Sequence, residues 1–375
     1  MGCLLANDMT TSFTLLKYLG KQYFASFLIF ISVLLMVIYL VDTLELIRRA
    51  ASHPEVTFGE IAKMSFFQLP DVGQQLFQFA VLFGALFTFW RLTRSSELVV
   101  LRAVGVSAWQ FLLPAVLVAA TIGVVKVTVI NPIGSVFSTR FEQMDNTLLR
   151  GKSSTIDLSA GGLWLRQSAA DSYTIIHARN VDSATWRLKD VSVYFLNNAD
   201  DLTGRLDASD AALVGDKWVV NDGKFNRPDR PDEPASPVST MYIPTDMTPS
   251  KIQEIFASPK SHSFWTILHY IRTMEATGIS AVRLRLQYMG LLADPFLYSG
   301  LVLIAAAAGL RQTRRGGTLF VIATGIIAAF ALFFLGNVVR ALGESETIPI
   351  VLAAWTPAGL SLLGGVGALL YLEDG

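Results

Sequence analysis

Long unbroken apolar runs occupy both ends of the chain, and polar and apolar residues alternate over its middle third. Six runs, at 24–44, 64–90, 109–130, 286–310, 318–339 and 350–372, are each close to or above 20 mostly apolar residues. An α-helix of about that length crosses a hydrocarbon core of roughly 30 Å. The runs fall into two groups of three. Between them, LWLRQ (163–167), YTIIHA (173–178), VSVYFL (191–196) and KWVV (217–220) place β-branched and aromatic residues in alternation with polar ones, which predicts strands. Gly215-Asp216 and Asp222-Gly223 bracket KWVV as tight turns. The proline-rich stretch 227–237 predicts a surface loop, since proline cannot donate to a sheet ladder. Residues 264–274 and 281–287 predict amphipathic helix around Thr277-Gly278, leading into the fourth run. The predicted architecture is a polytopic α-helical membrane protein of six transmembrane helices with an inserted all-β domain. Its segments are 1–134, 135–260 and 261–375.

Basic residues in short loops set the orientation, because Lys and Arg resist translocation. Lys17, Lys21, Arg91, Arg94, Arg102, Arg311, Arg314 and Arg315 fall on one side. The opposite loops hold Arg48, Arg49, Lys63 and Arg340, diluted by Glu45, Glu55, Glu60, Glu344 and Glu346. Both termini are therefore predicted cytoplasmic, and the β-rich insertion faces outward. Composition agrees: 52% hydrophobic and 16% charged residues suit a bilayer, and 30 basic against 30 acidic residues leave no global field for nucleic acid. The single cysteine, Cys3, allows no internal disulfide, so the outer domain is expected to fold without one. The start MGCLLA lacks the Ser or Thr that myristoylation needs at position 6, where Ala6 stands, and Met9 is a second candidate start.

Catalytic patterns are weak. Gly151-Lys152-Ser153 resembles the end of a phosphate-binding loop, but Asn146 stands where the first glycine is required. His53, His177, His262 and His269 show no metal-ligand spacing, and neither HExxH nor GxSxG occurs. The second run is more telling, since Asp71, Gln74, Gln75 and Gln78 share one helical face. Counting back from Trp90 puts Gln78 roughly 18 Å from the cytoplasmic end, so the stripe opens outward. It either lines a polar cavity or binds helix to helix. Arg48, Arg49, Lys126 and Arg140 gather toward the outer ends of spans, where anionic head groups would be attracted; snorkelling accounts equally for Lys126. Asp294-Pro295 either caps a kink or pairs with a basic residue such as Lys126. Gly325 and Ala329 form a small-xxx-small pair suited to close helix approach. The loop 91–107 predicts a short helix, N-capped by Ser95 and ended by Gly105, with Arg94, Glu97, Leu98, Leu101 and Arg102 available to a membrane surface or a soluble partner.

That loop carries a resemblance. Ser96-Glu97-Leu98-Val99-Val100, followed by Ala103, Gly105 and Ser107, resembles the coupling helix of the lipopolysaccharide export permeases, the LptF/LptG family. Further matches are Leu69-Pro70-Asp71-Val72, Gly84-Ala85-Leu86, Gly161-Gly162-Leu163-Trp164 and residues 268–278, so the resemblance covers nearly the whole chain. SELVV and GLWLR are closer to the G-type paralogue than to the F-type. The resemblance implies a periplasmic β-jellyroll between the third and fourth spans and a heterodimer with an F-type paralogue. It also implies two ATPase subunits that bind the ATP, with no cofactor in this chain, and a periplasmic bridge protein. Glu97 is the matching acidic coupling contact. Lipopolysaccharide is expected to enter through a lateral gate between the first helix of one subunit and the fifth of the other, which points to Tyr39, Asp42, Gly325 and Ala329. Tyr39 replaces the family's lysine, and Arg48 and Arg49 stand about one turn beyond Asp42 and Glu45. A non-transporting scaffold coupled to an ATPase is the alternative from another class, and an intramembrane enzyme is a third.

Overall fold

The computed structural model describes residues 2–53, 55–97, 100, 103, 107–149, 163–168, 172–182, 187–197, 201–215, 217–228, 234–245, 262–276, 280–309 and 318–373. Two compact units emerge: Met1–Phe141 with Pro259–Leu268 and Val282–Gly375, and Glu142–Ser258 with His269–Ala281.

The helices are α1 (Gly2–Ala50), α2 (Phe58–Arg94), α3 (Ala108–Val125), a π-helical turn (Lys126–Ile130), α4 (Asn131–Leu148), α5 (Phe264–Ala276), α6 (Val282–Gly309), α7 (Thr318–Glu344) and α8 (Ile350–Glu373). Among the described residues six spans are long and apolar enough to cross a membrane, the third running through α3, the π turn and α4. Local chemistry sets the starts. Thr57 and Glu60 close a reciprocal capping box on α2, and Ser107 and Gln110 do the same on α3, each satisfying donors that a helix start leaves open.

In the first unit α6 is central, with α2, α3, α7 and α8 packed around it, whereas α1 packs on α2 and α3. Small residues let backbones meet. A side chain at Gly123 of α3 would come within 2.6 Å of the Pro295 Cα, and one at Gly300 would strike Ser361 of α8. The main core joins Tyr23 and Phe27 of α1 to Leu82 and Phe89 of α2, Phe111 of α3 and Tyr298 and Val302 of α6.

Among its described residues the second unit contains one antiparallel sheet, β1 (Leu163–Ser168), β2 (Ser172–Asp182), β3 (Arg187–Asn197), β4 (Leu202–Val214), β5 (Lys217–Asn226) and β6 (Ser236–Pro244), in sequential order. One face buries Leu165, Ile176, Val193, Leu206 and Trp218. The outer side of the sheet carries Trp164 stacked over His177 at 4.1 Å and Arg205 over Tyr194 at 5.4 Å. The hydrogen bond from Arg205 to Asp207 raises the guanidinium above its usual range.

Two turn expectations part here. Gly215 does adopt the left-handed conformation of a turn, at φ 63°, while Asp216 lies outside the described residues. Asp222-Gly223 is no turn: it lies inside β5, with Asp222 at φ 52°. Asp190 of β3 is at φ 54°. Pairing skips the row Arg179, Asp190, Ser209, Asp222 and resumes in the same register on both sides. The sheet is creased along this polar row, where two successive residues of each strand lie between core-facing positions. The strands β4 and β6 were not foreseen.

Candidate transport site and coupling contacts

The polar stripe of α2 is divided in use. Gln74 donates from Nε2 to the Pro70 carbonyl at 3.2 Å and accepts from Asn131 Nδ2 at 3.1 Å, so it ties α2 to the third span. Gln75 is exposed, and Asp71 and Gln78 are half-buried. Gln74 therefore acts as a helix-to-helix link.

Lys126 departs from the expectation of a head-group contact. The residue is only 8% exposed, its Nζ lies 2.7 Å from Asp294 Oδ2, and the ammonium also stands 5.5 Å from the Tyr298 ring centroid. The reason is geometric. Gly123 admits Pro295 against α3, which brings α6 close enough for Asp294 to meet the ammonium. An ion pair at depth neutralises both charges where lipid could solvate neither. Asp294 thus pairs with Lys126 across two spans.

The π turn changes what the next residues can bind. The Asn131 N–H reaches the Lys126 carbonyl five residues back, and Pro132 has no N–H for the Thr128 carbonyl. Trp265 Nε1 donates to that carbonyl at 3.2 Å. The Asn131 side chain, on a residue 4% exposed, accepts from the Phe264 N–H at 2.8 Å while donating to Gln74. Sequence reasoning missed Asn131 and Trp265. An Asn-Pro step at the C-terminal end of an apolar run was the available signal.

At the C-terminal end of α1, Arg48 grips Glu45 through two bonds of 2.9 and 2.8 Å, and Arg49 Nε adds a third at 3.0 Å. Both arginines remain solvent-facing, so two cations share one carboxylate. Arg140 is exposed on α4 with its guanidinium 5.9 Å from the Phe67 ring. Asp42 is half-buried, its Oδ2 lacking a hydrogen-bond partner among the described residues, and the Tyr39 carbonyl accepts from Thr43 Oγ1 at 2.6 Å. Gly325 and Ala329 are both buried. A Cβ at Gly325 would collide with Leu86 of α2, so the small pair serves packing within this chain.

At the C-terminal end of α2, Ser95 is the C-cap and not an N-cap, because its N–H still bonds back to the Arg91 and Thr93 carbonyls. The next helix begins beyond Ser96, which takes φ 58° and whose carbonyl accepts from Val100. Glu97 receives Ser95 Oγ at 2.9 Å and the Tyr18 hydroxyl at 3.2 Å, which fastens this loop to the N-terminal part of α1. Arg94 lies over the Trp90 ring at 5.4 Å. Leu98, Leu101, Arg102 and Gly105 lie outside the described residues.

Against known proteins, residues 17–371 match the family model described as lipopolysaccharide export system permease LptF/LptG. The chain is 22% identical over 353 residues to the lipopolysaccharide export system permease protein LptG of Escherichia coli strain K12, covering 91% of this chain and 94% of that protein. The LptG of Escherichia coli O6:H1, strain CFT073, gives the same identity and coverage.

Proposed function

The chain belongs to the lipopolysaccharide export system permease family LptF/LptG, and from that premise we propose that it lifts lipopolysaccharide from the outer leaflet of the inner membrane and passes it to a periplasmic bridge. It is a multi-pass inner-membrane transport subunit. On this reading both termini are cytoplasmic and the β-bearing unit is periplasmic. An F-type paralogue completes the permease, and two separate ATPase chains hydrolyse ATP.

One helix carries the reading. Leu28, Val33, Val37, Val41 and Leu44 of α1 are exposed, and the exposed side of the helix ends at Arg48 and Arg49. Apolar wall below and cations above match the two halves of an anionic lipid with several acyl chains. Export by this route does work against hydrophobic burial and needs an outside energy source. Glu97 is placed to convey it, being joined through Tyr18 to the same helix that lines the proposed path. For the bridge, β1 and β6 each have one neighbouring strand among the described residues, leaving sheet edges that another chain can extend.

Co-purification from native membranes tests the assignment. Recovery of an ATPase chain and bound lipopolysaccharide is expected; recovery of neither favours the scaffold alternative. Glu97→Ala is expected to insert normally yet lower ATP-driven lipid release at least tenfold. Unchanged release would remove Glu97 from coupling.

A further inference from the structure

The contacts around the π-helical turn Lys126–Ile130 join three neighbours to the third span, using atoms that a regular helix would not supply. The missing N–H of Pro132 leaves the Thr128 carbonyl to Trp265 Nε1 at 3.2 Å. Asn131 links α2 through Gln74 at 3.1 Å and holds the Phe264 N–H at 2.8 Å, one of the donors that the first turn of α5 cannot satisfy internally. Lys126 reaches Asp294 of α6 at 2.7 Å, and the Phe264 ring stacks on Tyr288 of α6 at 5.5 Å. The second, third and fourth spans thus converge on the first turn of α5. That helix runs on to Ala276, among residues that group with the β-bearing unit.

We infer that Asn131 and Trp265 are positioning residues of a joint that stays closed throughout transport, so that the first turn of α5 moves as one body with the second, third and fourth spans. Displacement of these spans is thereby carried into the first turn of α5. The two bonds of Asn131 are part-buried, so breaking either leaves a polar atom unmatched, whereas the Trp265 bond lies at the exposed edge of the joint. A joint of this kind acts on the coupling between ATP hydrolysis and lipid transfer, and not on either chemistry alone. The inference rests on the export reading given above.

The test uses the full complex, with its ATPase and second permease chain, in liposomes containing lipopolysaccharide and a Cys3→Ser background. Asn131→Cys with Phe264→Cys removes the side-chain oxygen that accepts the 2.8 Å hydrogen bond and puts a thiol on each of the two residues it joins. Reduced, this pair is expected to lower lipid transfer at least fivefold while complex yield and ATP hydrolysis stay within twofold; oxidation is expected to restore transfer to within twofold of the parent. Trp265→Phe, which removes only the indole donor, is expected to lower transfer about threefold with hydrolysis unchanged. A disulfide that forms yet leaves transfer low overturns the closed joint. So does normal transfer in the reduced pair and in Trp265→Phe, or a fall in transfer that merely follows complex yield. A parent complex that moves no lipid overturns the export reading instead, and the joint is then judged by whether hydrolysis survives the cross-link.

Discussion

The first and fourth spans are both apolar enough to cross a bilayer, yet their surroundings are opposite. In the most apolar stretch of α6, 61% of residues are buried within the protein; in that of α1, 17% are. The buried helix carries Asp294, Pro295, Gly300 and Tyr298, and the bare one presents aliphatic side chains along most of its length. In water the more apolar helix would lie inside. In lipid no hydrophobic force separates a leucine from an acyl chain, so small and polar residues claim the interior, and the aliphatic face is left for lipid or for another chain. The fourth span therefore holds the bundle together, and the exposed side of α1 is a surface left open to lipid or to another chain.

Changes on α6 should accordingly damage the fold, and changes on the exposed side of α1 should damage only handling of lipid. Asp294→Leu strands Lys126 inside the bundle and is expected to destabilise by about 3–5 kcal/mol. The double change Lys126→Met with Asp294→Leu should recover most of that loss, read as the thermal midpoint in detergent. A double variant as unstable as the single one would mean that the pair is not the source. Gly123→Ala drives a methyl group toward the Pro295 backbone and is expected to cost about 1–3 kcal/mol in the same assay. On α1 the effects move to lipid. Reversing charge at Arg48 and Arg49 to Glu is expected to lower lipopolysaccharide cross-linking about fivefold with the thermal midpoint unchanged. Glu45→Gln, which frees both guanidinium groups, is expected to raise it about twofold. Unchanged yields in both would return the arginines to plain interfacial anchoring. Smallest of all, Val37→Ala on the bare face of α1 should shift stability by less than about 0.5 kcal/mol.

The spans were legible because a bilayer imposes length and composition together, and few other structures imitate that signal. The sheet was legible only where β-branched and aromatic residues alternate, as in YTIIHA and VSVYFL. β4 was hidden because LTGRLDASDAALV packs through Leu206, Ala208 and Ala211, small or spaced residues that mark no strand by propensity. The crease also breaks period two: Asn221-Asp222 separates buried Val220 from Gly223, which made a strand interior resemble a turn. At the site, Lys126 and Asp294 were recognised as intramembrane charges, and their pairing was one of two readings. Asn131 escaped notice because its two partners, Gln74 and the Phe264 backbone, are 57 and 133 residues away. Ser95 was misplaced because a serine before an apolar run has the look of an N-cap, whereas here the preceding helix still holds its N–H.

Side-specific labelling gives the most direct test of an outward-opening permease. With Cys3→Ser as background, Tyr242→Cys on the exposed side of β6 should react with a membrane-impermeant maleimide in cells whose outer membrane alone has been opened. Reaction before lysis is the expected result. Reaction only after the inner membrane is broken would put the β-bearing unit in the cytoplasm, and the account would fail.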